Sequence, residues 1–167
     1  LPGSCYNANV DRKRMTKMTF KKGELLNKML VLATNRHAGQ FDKGGNPYIL
    51  HPLAVMHLLE SKDEELQCIA VGHDIVEDTG VTYNELREHG FTERIINGIK
   101  SLTKVPGESY EEYKEKVKAN PDAVKVKMAD LKHNTRIERL KGVTPKDMAR
   151  MERYFNFYIE LISLDQK

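Results

Sequence analysis

Apolar side chains recur every three or four residues along most of this chain, the periodicity of helices that bury one face. Leu25, Leu26, Met29, Leu30 and Ala33 set out a first amphipathic helix that should stop near Gly39. A loop follows to Pro47, broken by Gly44 and Gly45. Pro52, tolerated in a first turn, opens a second helix to about Leu59. Asp63 can cap a third, which Leu66, Ile69 and Ala70 carry without interruption to Val76. Thr82 and Thr92 head two shorter helices, to Glu88 and Ser101, with Gly90 between them. Tyr110 to Ala119 reads as a charged, exposed helix. Asn120-Pro121 and Thr144-Pro145, each a cap followed by a first-turn proline, start two longer ones, to about Leu140 and Leu164. No stretch alternates apolar and polar residues between turn pairs, so nothing supplies a sheet. The expected fold is all-α, a bundle of about seven or eight helices.

Composition narrows this further. A chain of 167 residues that is 40% apolar can form one domain with a real core. With 31% charged residues and no apolar run longer than Met29 to Ala33, it is neither a disordered tail nor a membrane protein. The net charge of +3 invites a nucleic-acid reading, but its distribution argues against one. Residues 1–22 carry six basic side chains against Asp11 alone, so residues 23–167 are slightly acidic. That leading segment reads as a flexible basic tail, with Met15 or Met18 as an alternative start, and 23–167 as a single domain. Cys5 and Cys68 show no CxxC spacing, which points to a reducing, cytoplasmic setting.

Candidate chemistry concentrates in His73-Asp74-Ile75-Val76-Glu77-Asp78. On a continuous helix the four polar residues share an arc of about 140°. Between Glu60 and Glu93 there are ten acids and only Lys62 and Arg87 to offset them. Such crowding at the end of an apolar helix resists desolvation unless a cation compensates. His51, before Pro52, and Asp130, inside Val126-Lys127-Met128-Ala129, complete two imidazoles and two carboxylates. That donor set suits a borderline divalent ion with open water positions, manganese more readily than a closed structural zinc.

Four segments, His37-Ala-Gly-Gln40, Pro47-Tyr-Ile-Leu-His51-Pro52, His73-Asp74-Ile-Val-Glu77-Asp78-Thr79 and Lys127-Met-Ala-Asp130 with His133-Asn134, resemble the hydrolase domain of the RelA/SpoT-type alarmone enzymes and their small stand-alone relatives, in the HD-domain superfamily. The resemblance covers about residues 24–165. It implies one manganese ion held by His51, His73, Asp74 and Asp130. It implies that Glu77 and Asp78 are the catalytic acid pair, acting on a metal-bound hydroxide that releases pyrophosphate from the 3′ position of guanosine tetra- or pentaphosphate. Asn134 matches a nucleotide contact, and Arg150 and Tyr154 keep the i, i+4 spacing of a substrate-gripping pair. The expected ligand is thus a small phosphorylated nucleotide, with no membrane, no nucleic acid, and a homodimer as an allowed assembly.

The departures fall around the base. The family usually carries Arg-Lys after the loop Gln, the Arg to stack on guanine; this chain has Gln40-Phe41-Asp42-Lys43, so only Lys43 remains as a phosphate candidate. Leu131-Lys132 replaces Arg-Leu, and Ile137 replaces a Thr near the nucleotide. They leave open a phosphatase on another nucleotide, such as the 2′-phosphate of NADPH, and, behind it, a non-catalytic nucleotide-binding scaffold. Lys125, Lys132, Arg136 and Arg139 form a basic stripe that on a straight helix lies roughly 120–180° from Asp130 and Asn134. Most of the stripe is expected to face solvent or a partner, with only Lys127 or Lys141 leaning toward the metal side.

Overall fold

The computed structural model describes residues 20–139 and 143–165; most of the basic tail, Cys5 and Lys141 lie outside that range. Among the described residues the helices are α1 (Glu24–Arg36), α2 (Leu50–Leu58), α3 (Glu64–Gly72), α4 (Ile75–Thr79), α5 (Tyr83–Glu88), α6 (Glu93–Leu102), α7 (Tyr110–Lys118), α8 (Pro121–Asn134) and α9 (Pro145–Asp165), with a single 3₁₀ turn over Ile137–Arg139. The fold is all-α; the described residues pair as β only at one isolated bridge, Phe41 to Pro47, which closes the glycine-bearing loop.

Caps form where the side chains allow them. Asp63 accepts from the Glu65 and Leu66 N–H groups, Thr82 from Glu85, Thr92 from Ile95, and Asn120 from Asp122 and Ala123. Ser109 and Glu112 build a reciprocal capping box on α7, a start that sequence reading had not assigned. α1 begins at Gly23, which has no side chain to cap it. Its first N–H groups are taken instead by Glu64 of α3, which accepts from Gly23 and Leu25 at 2.8 Å and from Leu26 at 3.1 Å.

Two helices end earlier than the apolar pattern predicts, and both ends shape the site. The third predicted helix is interrupted at His73-Asp74, giving α3 and the short α4. There the Ala70 carbonyl accepts from His73 Nδ1 at 2.7 Å, a side-chain bond that competes with helical continuation. α8 stops at Asn134 instead of about Leu140, with Thr135 returning its hydroxyl to the Leu131 carbonyl.

α3 runs through the middle, packed by α1, α2, α6 and α8. Met29, Val55, Ile69, Ile95, Ile99, Val126, Phe157 and Leu161 are fully buried around it. Gly98 sets the α3–α6 distance, since a Cβ there would lie 2.5 Å from Ile69 Cδ1. No described helix is long and apolar enough to cross a membrane.

Candidate metal centre and nucleotide cavity

His51 on α2, His73 at the end of α3 and Asp130 on α8 meet in the interior, each less than 5% exposed. One ligating atom from each lies within 4.8 Å of the other two. Asp74, in the break after α3, brings Oδ2 to 3.0 Å from His73 Nε2 and 3.6 Å from His51 Nε2. The interruption of the predicted continuous helix therefore still leaves His73, Asp74, Glu77 and Asp78 on one cavity, of about 190 Å³.

Hydrogen bonds fix which ring nitrogens face inward. The Ala70 carbonyl can only accept, so His73 carries its Nδ1 proton there and turns Nε2 into the cluster. That Nε2 is buried and has no hydrogen-bond partner. Arg139 Nη1 can only donate, and it approaches His133 Nδ1 at 3.1 Å. Arg139 Nη1 stays farther from His51 Nδ1, at 3.5 Å, so in the tautomer in which His133 Nδ1 accepts, the 2.7 Å contact carries the proton of His51 Nδ1. His51 Nε2 is left free to ligate, 3.2 Å from Asp130 Oδ1. Two imidazole lone pairs and a buried carboxylate converge, a donor set that fits a divalent cation. Burial opposes charge on His73, but Asp74 and Asp130 outweigh it and raise its pKa; the same field favours any cation at that point.

The surrounding groups hold these ligands. Lys127 Nζ sits 2.8 Å from Asp130 Oδ2, and although burial disfavours its charge, Asp130 keeps the ammonium protonated. Asn134 donates to Asp130 Oδ1 at 2.6 Å and accepts from Arg139 Nη1 at 2.8 Å. Tyr48 donates to Asp74 Oδ2 at 2.6 Å; burial and Asp74 push its phenol pKa up, so it stays a donor. Glu77 and Asp78, one turn beyond His73 and Asp74 on α4, are exposed to the cavity. Glu77 Oε2 accepts the Lys104 N–H at 2.9 Å. Burial, then the charge of Asp74, hold the Asp78 carboxyl above its ordinary range.

A second cavity, of about 260 Å³, adjoins the first and shares Tyr48, Asn134 and Tyr154 with it. It contains Asp42 and Lys43 from the loop, Arg150 from α9, and Arg139. All ten residues singled out in the sequence thus line one or other of two connected cavities. Arg139 corrects an expectation: it points into the site instead of to solvent, because α8 ends at Asn134 and the straight-helix projection fails beyond it. Lys125, Lys132 and Arg136 are exposed as expected. Sequence reasoning also passed over Tyr48 and His133, although both sit inside the quoted motifs.

No family model matches the chain. It is 32% identical over 123 residues to the guanosine-3′,5′-bis(diphosphate) 3′-pyrophosphohydrolase of Aquifex aeolicus, covering 68% of this chain and 18% of that protein. It is 30% identical over 140 residues to the bifunctional (p)ppGpp synthase/hydrolase SpoT of Escherichia coli, covering 77% and 20%. The chain is a homologue of part of the RelA/SpoT-type proteins. It spans about a fifth of the length of these relatives. A solved metazoan SpoT orthologue, described as hydrolysing ppGpp, superposes with a TM-score of 0.68 at 22% identity, over 87% of each chain. That likeness establishes the shared fold.

Proposed function

We propose that this RelA/SpoT-type chain is a manganese-dependent 3′-pyrophosphohydrolase of guanosine 3′,5′-bis(diphosphate). The observation that carries the reading is the inward-facing, unpartnered His73 Nε2 beside His51 and Asp130, with an acid pair on the adjoining turn. The relatives' names supply the substrate class. His51, His73, Asp74 and Asp130 would hold the ion, which when bound would supply Lewis-acid activation of the phosphoryl group and of water. The carboxylate-rich set favours manganese over zinc.

The chain's own residues divide the remaining work. Glu77 and Asp78 orient the attacking water and take its proton, Asp78 with a carboxyl held above its usual range for that purpose. Lys104 and Lys127, on the inner cavity, offset the charge of the attacked diphosphate, while its bond to the ribose 3′ oxygen breaks and that oxygen takes up the proton held by the acid pair. Lys43, Asn134, Arg150 and Tyr154 hold the nucleotide on the outer side.

The test is a panel of guanosine tetraphosphate, guanosine triphosphate and NADPH, with the protein loaded with manganese or treated with chelator. Consumption of guanosine tetraphosphate alone, abolished by chelation and by Asp74→Ala, is the expected result. Turnover of NADPH with release of orthophosphate would assign the site to a 2′-phosphatase instead.

A further inference from the structure

The residue that departs most from the RelA/SpoT pattern, Asp42, is not isolated in the structure. Its carboxylate and the Arg139 guanidinium stand side by side on the outer cavity, with Oδ2 at 3.6 Å from Nη2. Each is anchored on its far side. Asp42 Oδ1 accepts the Asn46 N–H at 2.8 Å, while Oδ2 has only a 3.4 Å contact with the Asn46 amide. Arg139 Nη1 is committed to Asn134 at 2.8 Å and to His133 at 3.1 Å. What remains available is one acceptor, Asp42 Oδ2, next to one donor edge, Arg139 Nη2.

We propose that Asp42 and Arg139 form a base-reading pair that selects guanine. The inference rests on the nucleotide reading of this site and deepens it. The Watson–Crick edge of guanine presents an acceptor, O6, beside two donors, N1–H and N2–H₂; Arg139 Nη2 donates to O6 while Asp42 Oδ2 accepts from N1–H and N2–H₂. Adenine inverts this order. Its N6 amine would face the guanidinium and its N1 lone pair the carboxylate, two repulsive contacts in place of attractive ones. Both side chains are mostly buried, 13% exposed for Asp42 and 19% for Arg139, so neither substitutes water cheaply for a lost partner. The guanidinium missing from the loop thus enters from the turn after α8, and the loop acid becomes the complementary acceptor.

Calorimetric titration of the manganese-loaded protein with GDP and with ADP tests this, because neither nucleotide carries a 3′ group to be cleaved. GDP should bind roughly tenfold or more tighter, in line with the discrimination of one bidentate contact. Asp42→Asn keeps an oxygen for Asn46 and turns the second atom into a donor. It should bring the GDP/ADP ratio below about threefold or invert it, with the melting temperature unchanged. Inosine diphosphate, lacking the N2 amine, should fall between the two on the native protein, a measurement that needs no variant. Equal affinity for GDP and ADP, or a ratio unaltered by Asp42→Asn, overturns the proposal. A GDP preference without release of pyrophosphate from guanosine tetraphosphate would sink the hydrolase reading and leave the base reader standing; pyrophosphate release without base preference would do the reverse.

Discussion

In the proposed centre, His51 and His73 can serve as ligands because each gives its other nitrogen to a fixed partner, Ala70 for His73 and the Arg139-anchored His133 for His51. The His-Asp pairs were legible in the sequence, since imidazoles and carboxylates in an apolar setting demand compensation. Their supporting groups were not, because nothing in linear spacing shows that Tyr48 reaches Asp74 across 26 residues or that His133 reaches His51 across 82. Tyr48→Phe removes the donor to Asp74 Oδ2 without changing shape. It should weaken manganese affinity by about tenfold, read by calorimetry. Glu77→Gln leaves every ligand in place and should lower kcat by roughly 100-fold or more while metal content stays at one ion per chain.

Helix starts could be read from capping residues, and the helices headed by Asp63, Thr82, Thr92 and Asn120 begin where those side chains stand. Helix ends were less legible. The apolar period runs on through Ile75 and Val76 although the backbone breaks at His73-Asp74, and a straight projection of α8 put Arg139 on the wrong side. Both ends are decided by tertiary bonds that periodicity does not contain. The cap of α1 is likewise tertiary. Glu64→Ala removes the acceptor for three N–H groups and should cost about 1 kcal/mol of stability, seen as a lower denaturant midpoint. Hydrogen bonds from Gly23, Leu26 and Leu25 outweigh desolvation and depress the Glu64 carboxyl below 4.5. A depressed folded pKa stabilises above the unfolded value and loses that contribution as pH falls through the folded one. The difference between native protein and Glu64→Gln should therefore be full at neutral pH and shrink below about pH 4.

At the scale of the molecule, α3 is the spine that brings the candidate ligands from α2, α8 and its own end to one point, and its close approach to α6 depends on Gly98. Gly98→Ala drives a methyl into Ile69 and should destabilise the fold by about 1–3 kcal/mol. The net charge misleads at this scale, because it averages a basic leading segment with a slightly acidic remainder. An ion bound there by the native state alone should raise the melting temperature with its concentration, and His73→Ala should remove that dependence. The proposed hydrolysis is tested most directly by phosphorus-31 resonance of the products, recorded after removal of the metal, when the manganese-loaded protein has met guanosine tetraphosphate. The account predicts inorganic pyrophosphate and GDP in equal amounts. Orthophosphate as the product, or an unchanged substrate spectrum, would contradict it.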